Sequence, residues 1–192
     1  MSGVDGGVGF GLWPQATAQF MYHDVMPALL NGFNVDGRSV VDLGGGNGLL
    51  KRWIPHAVSV DVDADKRPDV HMDLRDVRAS GLMWDAGVLR YVLHYMDDAA
   101  ASTLMRDLRY VVGELLLIQF VNDHLAAKRA NSVNEVKWFR DEAGLRALLS
   151  GWQVADRRRI DYRVRADFYR WRLQHPNPTD HDEAIVAYHL RQ

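Results

Sequence analysis

The chain has 192 residues, 47% hydrophobic and 25% charged, with a net charge of −2. That is enough for one domain with a sizeable core, and the composition is ordinary for a soluble globular protein. It has no cysteine, which excludes a disulfide framework, a thiol nucleophile and a Cys-ligated zinc. The near-neutral charge gives no reason to expect nucleic acid or another polyanion as partner. No apolar run is long enough to span a bilayer, and Met1 to Gly11 lacks the basic and apolar regions of a signal peptide. The chain reads as a cytoplasmic protein with no membrane partner.

Residues 1–11, rich in glycine, read as a flexible N-terminus. From Trp13-Pro14 a helical stretch puts Ala16, Phe20 and Met21 on one face. Pro27 breaks it, so Ala28 to Leu30 forms a separate turn, and Asn31-Gly32 ends it. Residues 12–35 form a helical cap on a single domain running over 12–192. Asp36-Gly37 turns the chain into a first strand, Ser39 to Leu43.

This strand runs directly into Gly44-Gly45-Gly46-Asn47-Gly48, and the apolar pattern resumes at Leu49, Leu50 and Trp53. The pattern predicts a buried strand, a tight turn and a helix from about Asn47 to Trp53, stopped at Pro55. Glycines at the turn permit positive φ and close approach of a ligand. The helix start offers unpaired N–H groups and partial positive charge to a nucleotide-like ligand. A dinucleotide fingerprint would need a third glycine where Leu49 stands, which disfavours a nicotinamide cofactor. The spacing Asp42-x-Gly44-x-Gly46-x-Gly48 instead resembles motif I of the class I S-adenosylmethionine (SAM) dependent methyltransferases.

Further along, Ala57 to Val60 is the second strand, ending at Asp61, and Asp69 to Met72 the third. The interval between them is too short for a crossover helix, which predicts a turn. A short helix follows over Arg75 to Ala79. Asp85 to Leu89 is strand four. Asp97 or Asp98 caps a helix with Ala101, Leu104, Met105, Leu108, Val111 and Val112 on one face, with Gly113 as its stop. Leu115 to Val121 is an apolar run of the kind buried on both faces of a parallel sheet. Residues 122–138 have no clear pattern and are candidates to line a ligand cleft. Asp141 caps a helix through Leu145, Leu148 and Leu149 that ends at Gly151. Trp152 to Ile160 and Ala184 to Leu190 are the last strands, with an aromatic insertion over 163–182.

The β-α alternation predicts an α/β fold with helices on both faces of a mostly parallel sheet. The resemblance implies a Rossmann-like seven-stranded sheet whose last strand is antiparallel. It covers roughly residues 38–192 and is confined to the catalytic core, without the N-terminal dimerisation domain of plant-type O-methyltransferases.

Ligands of such sheets sit at the carboxyl ends of the strands. The resemblance places Asp42, Gly44, Gly46 and Gly48 at the glycine turn and methionine end of the cofactor. Asp61 follows Asp42 at about the offset of a ribose-binding acid, and its two oxygens suit two hydroxyls; Asp63 and Asp65 compete for the role. Asp73 and Leu74 are implied at the adenine, although Asp73 also reads as a helix N-cap. Val62, Leu89 and Arg90 complete the implied cofactor contacts.

The stretch Leu89-Arg90-Tyr91-Val92-Leu93-His94-Tyr95-Met96-Asp97-Asp98 is similar to the segment after strand four in small-molecule O-methyltransferases. It matches at Leu89, Arg90, Val92, Leu93, His94 and Asp98, and departs where Tyr95-Met96 replaces Asp-Trp. In that family the histidine is the general base for a hydroxyl, and an imidazole that titrates near neutrality suits the task. The other reading of His94 is a packed histidine. Tyr22, His23 and Tyr95 are implied for the acceptor pocket.

The motif of enzymes that methylate base amines is absent after strand four, and the histidines show no metal-ligand spacing. The basic stretch from Arg157 to Arg172 reads as a solvated, salt-bridged surface or as a site for an anionic acceptor. The implied activity is in-line methyl transfer from SAM to a small-molecule hydroxyl, releasing S-adenosylhomocysteine. The alternatives are a SAM-binding protein of this fold that does not methylate, and a partner subunit that has lost catalysis. Oligomeric state is not legible.

Overall fold

The computed structural model describes residues 26–122, 129–132, 135–138, 140–161 and 183–192. The 1–11 terminus, the 12–25 part of the cap with Tyr22 and His23, and the 163–182 insertion lie outside the described residues.

Helix α1, Met26–Leu30, precedes strand β1, Val40–Leu43. β2 is Val58–Asp61, β3 Val70–His71 and β4 Trp84–Arg90. Helix α2, Asp98–Leu108, leads to β5, Val112–Asn122. A hairpin of β6, Arg129–Ser132, and β7, Glu135–Trp138, comes next, then α3, Glu142–Ala147, β8, Gln153–Asp161, and β9, Glu183–Arg191. The main sheet has seven strands in the order β3-β2-β1-β4-β5-β9-β8. β1 to β5 are parallel, and β9 inserts antiparallel between β5 and β8. The antiparallel last strand and the seven-stranded sheet match the expectation.

Strand period sorts the core into two layers. From β5, Leu115, Leu117 and Val121 enter one layer, and Leu116 and Ile118 the other. The first layer is covered by α2 through Ala101, Leu104, Met105 and Leu108, and by Leu145 of α3. Asp97 caps α2 by accepting from Ala100 N–H at 2.8 Å, and Asp141 caps α3 from Gly144 N–H at 2.6 Å; each satisfies an N-terminal donor. The second layer is covered by Met26 and Leu29 of α1, Phe33, Leu50 and Ile54.

Three local expectations are corrected. The helix over Asn47–Trp53 is a 3-10 turn, Leu49–Arg52. Gly48 at φ 72° blocks an earlier helical start, and Pro55 disfavours continuation. So short a turn has no macrodipole to offer a ligand. The helix over 75–79 is likewise a 3-10 turn, Leu74–Asp76. Gly113 does not stop α2, which ends in tight turns at Arg109 to Val111. It lies within β5, where a Cβ would sit 3.1 Å from the Asp85 carbonyl oxygen. The interval between β2 and β3 holds only the turn Ala64–Lys66, as its length predicts.

Candidate functional site

The parallel strands bring the ends of β1, β2, β4 and β5 to one edge of the sheet. The glycine turn leaves β1 there and folds over β2. Gly44 N–H and Gly45 N–H both donate to Val60 O, at 2.8 and 3.1 Å. Gly46 N–H donates to Asp61 Oδ2 at 2.8 Å. A loop that cradles phosphate leaves successive N–H groups open. Here three in a row are used internally, which agrees with the glycine spacing in disfavouring a pyrophosphate ligand.

Close packing explains the glycines at two places. Gly44 has φ 70°, and a Cβ there would lie 2.4 Å from Val92. A Cβ on Gly45 would lie 2.7 Å from Asp42 Cγ. Gly46, at φ 55°, faces open space, with nothing within 4 Å of such an atom.

Asp42 and Arg90 share the second layer, because β1 and β4 alternate in register. Arg90 Nη2 donates to Asp42 Oδ2 at 3.0 Å. Asp42 Oδ1 is buried without a hydrogen-bond partner among the described residues. Asp61 Oδ1 accepts from Asp63 N–H at 2.9 Å, so each Asp61 oxygen holds one loop N–H. A carboxylate oxygen takes two such bonds, which leaves one acceptor direction on each for a ligand hydroxyl. An orphan buried acceptor beside the turn and a half-filled carboxylate at the next strand end together fit the ribose and aminoacyl parts of SAM.

Asp73 caps the turn Leu74–Asp76 through Arg75 N–H at 2.9 Å and is paired with the Arg75 guanidinium. The guanidinium holds its carboxyl below the ordinary range. Leu74 is buried against the Gly44 position, and Val62 is exposed. Leu89 ends β4 beside Arg90. Its side chain is wholly buried in the first layer, because strand period turns it away from the face that carries Arg90.

His94 sits in the 3-10 turn Leu93–Tyr95 just beyond β4 and is buried. Its Nδ1 lies 3.1 Å from Gln119 Nε2 on β5. Gln119 Oε1 is buried without a partner among the described residues. Half-exposed Tyr95 covers the imidazole at 4.1 Å between rings. Tyr91 takes a left-handed φ of 54°, rare for a bulky side chain, and stacks on Phe120 at 4.3 Å.

Arg140 is also buried and bonds the same turn. Sequence reasoning missed Gln119 and Arg140. Gln119 carried a signal, as the one polar side chain within the apolar run Leu115 to Val121; Arg140 carried none locally. The arginines of β8 divide by strand period. Arg157 and Arg159 pair with Glu142, while Arg158 bonds Asp156 and the Ala28 carbonyl at the end of α1. These contacts are structural.

Among the described residues no group of His, Asp or Glu is arranged to hold a metal ion, and no helix is long and apolar enough to cross a membrane.

No protein-family model and no curated protein matches the chain. Solved structures do. A SAM-dependent methyltransferase from Mesorhizobium loti aligns over 86% of this chain and 96% of its own, at TM-score 0.60 and 18% identity. The O-methyltransferase of a trans-AT polyketide synthase multienzyme of Brevibacillus brevis, in complex with S-adenosyl-L-homocysteine, aligns over 91% and 79%, at 0.62 and 11%. The [4+2]-cyclase SpnF aligns over 88% and 81%, at 0.58 and 16%. The chain has the Rossmann-like fold of class I SAM-dependent methyltransferases. The likeness at these identities is one of fold.

Proposed function

We propose that the protein transfers a methyl group from SAM to the hydroxyl oxygen of a small-molecule acceptor, with His94 as general base. Bound SAM supplies an electrophilic methyl on its sulfonium. Asp61 accepts from the ribose hydroxyls with the acceptor directions its loop N–H bonds leave open. Asp42, anchored by Arg90, presents Oδ1 toward the methionine end. Asp73, Leu74 and Val62 flank the adenine, and the open side of Gly46 lets the cofactor approach the backbone.

The observation that carries the base assignment is the contact between His94 Nδ1 and the Gln119 amide. A half-turn of that amide places Oε1, otherwise unpartnered, where it accepts from Nδ1–H. The remaining lone pair is then on Nε2, which takes the hydroxyl proton. A neutral amide fixes this tautomer without adding charge. Tyr95 shields the ring and faces the acceptor, with Tyr22 and His23 assigned to the same pocket. The likeness to a cyclase favours one other reading, a SAM-binding protein of this fold that catalyses a different reaction or none.

The test is a screen of hydroxylated acceptors with methyl-labelled SAM. Turnover that falls about 10²- to 10⁴-fold in His94→Ala supports the base. SAM binding without label transfer to any acceptor favours the second reading.

A further inference from the structure

We propose that Arg140 is the positioning residue for His94, an inference that rests on the reading of His94 as the base. Arg140 occupies the short link between β7 and the Asp141 cap of α3. Its side chain is only 5% exposed. Nη1 donates to Leu93 O at 2.8 Å and Nη2 to Met96 O at 2.8 Å. Nε donates to Asp98 Oδ1 at 2.7 Å. Leu93 and Met96 bracket the turn that carries His94, and Asp98 opens α2.

One rigid guanidinium fork therefore spans the start of the turn, its end and the next helix. β7 lies against the same turn. Gln119 sets which ring nitrogen is protonated; Arg140 sets where the ring stands. A lysine keeps the charge, but its single nitrogen cannot reach three acceptors spread along the chain.

The experiment records imidazole 15N–1H correlation spectra of the full chain, with His94→Gln identifying the His94 signals. The wild type gives one tautomer, protonated at Nδ1. Arg140→Lys, folded by circular dichroism, moves the His94 signals toward a mixture of tautomers. With an acceptor in hand, its kcat falls about 10- to 100-fold while the SAM KM stays within about twofold, as expected for a misplaced catalytic group. Asp98→Asn, which weakens only the third contact, gives a smaller shift in the same direction. Unchanged His94 signals in folded Arg140→Lys overturn the proposal. If that variant does not fold, unchanged signals in Asp98→Asn do so. Full turnover in His94→Ala sinks the base reading instead, and the ring signals still decide the clamp.

Discussion

Asp42 on β1 and Arg90 at the end of β4 form an ion pair at 3.0 Å beneath the glycine turn, with side chains 1% and 7% exposed. The turn rests on that carboxylate so closely that a Cβ on Gly45 would overlap it. Removing one partner of such a pair strands a buried charge. Arg90→Met is expected to cost about 3–5 kcal/mol, and the double replacement Asp42→Leu with Arg90→Met to recover much of it. Urea denaturation of the wild type and the two variants measures both effects.

Gly46 separates folding from ligand approach. Its backbone is left-handed but its surroundings are open, so Gly46→Ala costs only the conformational penalty of about 1–2 kcal/mol. The same methyl group enters the space assigned to the cofactor. Gly44→Ala carries the same backbone penalty plus a collision with Val92, and is expected to be the less stable of the two. Melting curves order the two variants, and SAM titration of Gly46→Ala is expected to show weakened binding in a folded protein.

Glu142 joins α3 to β8 and β9. The Arg157 guanidinium foremost, then Arg159 and the Tyr188 hydroxyl, hold its carboxyl down at about 2 against burial that pushes it up. A carboxyl depressed in the folded state stabilises fully above its unfolded value, 4.5, and loses that contribution as pH falls toward the folded value. The wild type is therefore expected to lose stability between about pH 4.5 and 2 more steeply than Glu142→Gln. Chemical denaturation at stepped pH compares the two slopes.

Strand period and turn chemistry made most of the sheet legible. The two-sided apolar run of β5, the Asp97 and Asp141 caps and the short link between β2 and β3 are local features, and they appear where the residues place them. The helix after Gly48 failed because a positive-φ glycine and Pro55 leave room for only one turn. Asp61 could be picked out as the acid ending β2, but its bonds to Gly46 and Asp63 depend on how the glycine turn folds back. The Asp42–Arg90 pair depends on the register of two strands distant in the chain. Arg140 is the extreme case, since its three partners lie on a segment over 40 residues away and nothing in its neighbours hints at them. The arginines of β8 were legible as a basic stretch. Their direction was not, because it depends on which acids the two faces meet.

The most direct test of the account is calorimetric titration of SAM and S-adenosylhomocysteine into the wild type and Asp61→Ala, with melting curves confirming that both are folded. Micromolar binding to the wild type, about −8 kcal/mol, is expected, and is expected to be lost in Asp61→Ala. A folded wild type that binds neither ligand contradicts it, and wild-type affinity in Asp61→Ala contradicts the site assigned here.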